Sequence, residues 1–154
     1  SWTALTKIHT RLSILPDVSR LQATLRKPDL DEITAQEYRP RTALMFGYLH
    51  GECYTALAGS KVLCMYGVVP EPEGGRIWML SCDGIEKYGL GVSRITRGEI
   101  KRFLSQYRYI YNIVDERNQV TIRWLKWLGF KFGSTHLIGP SRQPFKEFTQ
   151  WIHS

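Results

Sequence analysis

Three cysteines, four histidines and an excess of basic residues are what this chain of 154 residues offers to chemistry. Cys53, Cys64 and Cys82 each lie in an apolar, strand-like run. Their odd number and their spacing match no zinc pattern, and no histidine follows where it would activate one of them as a nucleophile. They read as buried, reduced thiols behaving as small hydrophobes. The sequence holds no Ser/His/Asp arrangement, no Walker loop and no metal cluster, and His136 and His153 read as structural or exposed. What remains is charge. Lys and Arg number 21 against 14 Asp and Glu, a net charge of +7 with a pI near 9.5. Projected at ~100° per residue, Arg94, Arg97, Lys101 and Arg108 form one stripe of a helix. Such a stripe suits nucleic acid or an acidic protein partner, or is a solvated helix face.

The elements that would position these residues follow from composition and pattern. With 43% hydrophobic and 23% charged residues, the chain reads as one ordinary globular domain with a core of its own. No apolar run approaches the ~18 residues of a membrane span, and the first ten residues lack a secretory signal. The chain starts at Ser1 without Met, which fits a protein made in the cytosol and trimmed of its initiator; an expression scar reads the same way.

Leu5, Ile8, Leu12 and Leu15 stand at helical spacing ahead of Pro16, so residues 1–17 are expected to form an arm or a short docking helix, with the main domain over 18–154. Residues 18–26 read as a first strand, Asp29 as the N-cap of a helix reaching Gln36, and residues 39–50 as a second helix with Pro40 at its start. Residues 53–58 and 61–69 around Gly59-Ser60 predict a hairpin. Residues 76–82, apolar without alternation, predict a central strand. A short helix ended by Gly89 or Gly91 is expected next, then a longer one over 92–107 and a strand over 109–114. Asp115 or Asn118 opens a helix to Leu128, Gly129 closes it, and strands over 130–138 and 146–152 flank an exposed loop. The order β-α-α-β-β-β-α-β-α-β-β implies a mixed α/β sheet covered by helices.

One segment carries a resemblance. Asn118-Gln-Val-Thr121-Ile-Arg-Trp-Leu125-Lys-Trp-Leu-Gly129-Phe130 follows a strand and opens a helix. It resembles the penultimate helix of GNAT acetyltransferases, with the Asn, the small residue, the Gly and the Phe in register. The chain from roughly residue 20 onwards also resembles a narrower group, the internal virion protein A family of T-seven-like podophages. That resemblance rests on Met65-Tyr-Gly-Val-Val-Pro70, Trp78-Met-Leu-Ser-Cys-Asp83, Val114-Asp-Glu-Arg-Asn118, Ile122 to Phe130 and Pro144-Phe145.

The resemblance implies a GNAT-like fold, acetyl-CoA as the cofactor of any enzyme on it, and Gly89, Gly91 and Asn118 as the residues that would meet that cofactor. It also exposes departures. Glu86 takes the place of the leading Gln or Arg of the family's phosphate loop. Leu125 stands where such enzymes commonly carry a Tyr that protonates the leaving thiolate. Losing a general acid typically costs ~10²–10⁴ in rate. Glu52, Asp83, Glu86 and His50 are candidate bases that no motif places. The expectation is therefore a phage virion structural protein, made in the host cytoplasm, without catalysis or cofactor. It would contact capsid, portal, core or tail proteins or packaged DNA. The alternative is an active N-acetyltransferase on a host or viral amine. Trp78, Trp124 and Trp127 read mostly as core, Trp2 and Trp151 as anchors to neighbouring subunits.

Overall fold

The computed structural model of the chain describes residues 7–153, so Trp2 and Leu5 lie outside the described residues. Its strands are β1 (Ile8–Leu12), β2 (Glu52–Ala58), β3 (Lys61–Pro70), β4 (Gly75–Ser81), β5 (Tyr109–Asp115), β6 (Lys131–Ile138) and β7 (Gln143–Trp151). They form one seven-stranded sheet in the order β1-β2-β3-β4-β5-β7-β6. Every neighbouring pair is antiparallel except β4 and β5, which run parallel. The helices are α1 (Leu15–Gln22), α2 (Lys27–Ala35), α3 (Pro40–His50), α4 (Gly89–Tyr107) and α5 (Gln119–Trp127). None of the described helices is long and apolar enough to cross a membrane.

β3 is buried from Val62 to Val69 because both of its faces are covered. On one face, Val18 and Leu21 of α1 and Leu44 of α3 pack on Leu57, Leu63 and Met65. On the other, Ile100, Phe103 and Leu104 of α4, Ile122 and Leu125 of α5, and Leu128 just after it pack on Tyr66, Val68, Ile110 and Phe148. The expected hairpin is present, with Gly59 supplying the positive φ of its turn. The expected central strand is β4.

Two expectations near the N-terminus need correcting. Residues 8–12 form an edge strand paired with β2 from Ile8↔Ala58 to Leu12↔Tyr54, not a docking helix. Residues 15–22 form a helix, not a strand: Pro16 sits in its first turn, where a missing N–H costs nothing, and starts the helix instead of stopping one. Asp17 fixes this corner. Its carboxylate is fully buried and accepts from Arg11 Nη1 (2.7 Å) and Nη2 (3.0 Å), the Ile14 N–H (2.9 Å) and the Thr55 hydroxyl (2.7 Å). Smaller corrections follow further along. Asp29 lies in the first turn of α2, with Arg26 at the cap position, and β7 begins at Gln143, so Pro144 is inside a strand and the preceding turn is short.

α3 reaches the sheet closely enough only because residue 47 is glycine. A Cβ built there falls 2.2 Å from Trp78 Cζ2. Gly47→Ala is expected to displace the indole and cost about 1–3 kcal/mol; a urea titration reads the loss, and an unchanged midpoint contradicts this packing.

Candidate functional site

β4 and β5 pair through two registers only, Gly75↔Ile110 and Arg76↔Tyr111. At the next position a side chain replaces the backbone: Asn112 Nδ2 donates to the Ile77 carbonyl at 2.6 Å. Beyond Asn112 the strands diverge. The wedge between them belongs to a cavity of about 610 Å³ that passes through the sheet, from Phe46 and Trp78 on the α3 side to Val92, Ile100 and Leu125 on the other. The Trp78 indole N–H lies buried in this wall with no hydrogen-bond partner among the described residues.

α2 spans the open end of the wedge with two carboxylates one helical turn apart, hence on one face. Asp29 Oδ2 accepts from the Ser81 N–H at 2.8 Å, at the end of β4. Glu32 Oε1 accepts from the Asp115 N–H at 3.1 Å, at the end of β5, and from Asn118 Nδ2 at 3.2 Å. Burial pushes Asp29 up to about 6, against the Arg26 guanidinium and the Ser81 N–H. Burial likewise pushes Glu32 up to about 7; the bonds from Asn118 and Asp115 oppose the rise, and the charges of Asp29 and Asp115 add to it. From the sequence Asp29 reads only as a helix N-cap and Glu32 as part of an ordinary polar helix.

Of the residues implied by resemblance, Asn118 stands at the start of α5 but its side chain caps nothing; it is buried, lines the cavity and donates to Glu32. Leu125 is buried in the cavity wall among apolar groups. Two phenols line that wall: Tyr38 is exposed, and Tyr66 donates to Glu99 Oε1 at 2.5 Å, where burial together with Glu99 raises it far above an ordinary tyrosine and makes it a poor acid. The expected short helix ending at Gly89 or Gly91 is instead a 3₁₀ turn, Ile85–Tyr88, running straight into α4 at Gly89. A Cβ on Gly89 would meet nothing within 4 Å, whereas one on Gly91 would fall 2.6 Å from Ile8 Cδ1 of β1.

The wedge is apolar enough for an extended chain. Gly91 is packed under β1, and Glu86 sets a carboxylate on the cavity wall. The other candidate bases stand elsewhere. Glu52 binds the Tyr54 hydroxyl and Arg102, Asp83 is exposed, and His50 lies tilted against Phe46 with ring centroids 4.4 Å apart.

The three cysteines are free and buried, and burial raises their thiols, Cys64 up to about 12, as expected of inert hydrophobes. No group among the described residues could hold a metal ion. Arg94, Arg97 and Lys101 lie exposed on the outer side of α4, while Arg108 ends that helix in the left-handed region at φ 61°. Trp78 and Trp124 are partly buried, Trp124 donating to Ser93 Oγ at 3.1 Å. Trp127 departs from the expected core position: it is 53% exposed beneath the Arg97 guanidinium.

No family model matches this chain, and no curated protein sequence matches it. Solved structures do. An N-acetyltransferase from Staphylococcus aureus Mu50 superposes with a TM-score of 0.71 at 16% identity, covering 95% of this chain and 99% of its own. AAC(6')-Ib, in complex with ribostamycin and coenzyme A, gives 0.70 at 16% identity, covering 96% and 94%. An acetyltransferase of the GNAT family from Streptococcus pneumoniae gives 0.64 at 11% identity, covering 95% and 99%. The chain has the GNAT fold. At these identities the likeness concerns the fold alone.

Proposed function

We propose that this chain is a GNAT-fold protein that does not transfer acyl groups and serves as a structural component of a phage particle. The observation that carries the first half is the buried Leu125 in the wall of the wedge, where the resemblance implies a proton-donating Tyr. Glu86 on the cavity wall and Gly91 packed against Ile8, where the resemblance implies a phosphate-binding loop, support it. The second half rests on the segments that resemble internal virion protein A. On this reading the chain is made in the host cytoplasm and resides in the virion, beside capsid, portal, core or tail proteins. The exposed Trp151 suits a contact with such a neighbour.

The cavity and the unpartnered Trp78 N–H favour a second reading, acetyl transfer from acetyl-CoA to a host or viral amine. Titration calorimetry separates the two. The structural reading expects no heat at millimolar acetyl-CoA; binding at micromolar concentration revives the enzyme. Purified particles are expected to contain the chain, and particles lacking it would end the virion assignment.

A further inference from the structure

We infer that the outer surface of α4 and α5 binds single-stranded nucleic acid. This goes beyond the proposed function and does not depend on it.

The surface is one-signed. α4 exposes Arg94, Arg97 and Lys101, and α5 exposes Arg123 and Lys126. α5 contains no acidic residue, and the only one on α4, Glu99, is tied up by Tyr66 and by Arg102 Nε at 2.7 Å. Among the described residues, none of the five exposed cations has an ion-pair partner. The other acidic residues lie elsewhere: on α1, α2 and β2, between α2 and α3, in the β3–β4 turn, in the segment before α4, and around β5 and β7. A patch of cations without interleaved carboxylates attracts a polyanion, with counterion release as the driving force.

Charge alone would take duplex, single strand or acidic protein alike. Trp127 distinguishes them. Arg97 lies over its ring at 4.2 Å from the centroid, which joins the outer faces of the two helices. Trp127 as a whole is still 53% exposed, on the same exposed arc of α5 as Arg123. An exposed indole amid phosphate-binding cations is a stacking platform for an unpaired base. In a duplex the base faces are already stacked on one another, so this group adds affinity for single strands only. The stack also holds the Arg97 guanidinium in one place, with N–H groups free to meet phosphate.

The test is fluorescence anisotropy of a labelled twenty-residue oligothymidylate with the full chain across a salt series. Affinity is expected to fall linearly on a log–log plot against salt. Arg94→Glu combined with Arg123→Glu should weaken binding by at least about tenfold, since two cations become two anions. Trp127→Ala should weaken the single strand about tenfold and leave a duplex of equal length unchanged. Arg39→Glu with Arg41→Glu, on α3 and the residue before it, should have little effect. Lys101→Glu provides a milder second variant on α4, and circular dichroism checks the fold of each. Tighter binding of poly-glutamate than of oligothymidylate would assign the surface to an acidic protein instead. Equal affinity for duplex and single strand, or equal losses from both pairs of charge reversals, would also overturn the proposal.

Discussion

Asp17→Ala unfolds about 2–4 kcal/mol more easily than the parent, somewhat less than the loss typical of breaking a fully buried ion pair, because the Arg11 side chain is 34% exposed. Asp17 has no exposed surface, and four donors from three elements converge on it: Arg11 twice from β1, the Ile14 N–H at the start of α1, and the Thr55 hydroxyl from β2. Alanine leaves Arg11 without its counter-ion, removes the bond to the first turn of α1, and leaves the buried Thr55 hydroxyl with Ser13 Oγ, at 2.7 Å, as its remaining side-chain partner. In a chain of this size each kcal/mol moves Tm by roughly 2–4 °C, so a calorimetric scan is expected to show a fall on the order of 10 °C. A loss below about 1 kcal/mol would place the pair with ordinary surface salt bridges and refute this account. The pH dependence adds a check. Burial alone would raise this carboxyl, but Arg11, Ile14 and Thr55 outweigh it and hold it below the ordinary 3.8. The contribution is therefore complete above that value, is lost as pH falls through the lower folded one, and disappears from an acid titration of Asp17→Ala.

Glu32→Gln has the opposite sign. A carboxyl held near 7 in the folded chain and at 4.5 in the unfolded one takes up a proton on folding between those values. Stability from this group is fullest below 4.5, declines as pH rises, and levels off above 7. Such a displacement is worth roughly 3 kcal/mol at its limit. Asp29 does the same between 3.8 and about 6. The parent is thus expected to melt at a higher temperature at pH 5 than at pH 8. Gln keeps an oxygen for the Asp115 N–H and the Asn118 amide, carries no charge to bury, and should raise the stability at pH 8 while flattening the slope between pH 5 and 8. Parallel melting curves for parent and variant would show that Glu32 is not held protonated.

What was legible in the sequence was what local pattern determines. The Gly59-Ser60 turn, the apolar run of β4 and the register from Asn118 to Gly129-Phe130 all read correctly. Ile8 and Leu12 misled because residues four apart share a face in a helix and in a strand alike. Val18 and Leu21 carried a usable signal: three apart, they fall on opposite faces of a strand but on one face of a helix, and both are buried in α1. Asp29 and Glu32 gave none, since only the placement of α2 across β4 and β5 buries them. Trp127 misled for the converse reason, being apolar in type yet on the outward arc of α5.

The two-pair junction of β4 and β5 has a mechanical consequence. Four strands lie to one side of it and three to the other, so the sheet is two leaves whose backbones meet along a short spine, Gly75–Arg76 against Ile110–Tyr111, with the core under α4 and α5 shared between them. α2 acts as a clasp across the opposite margin, with Asp29 gripping one leaf and Glu32 the other. Opening such a book requires few backbone bonds to break, and the amides of Ser81 and Asp115, which the clasp protects, would be the first to exchange with solvent deuterium when it lets go.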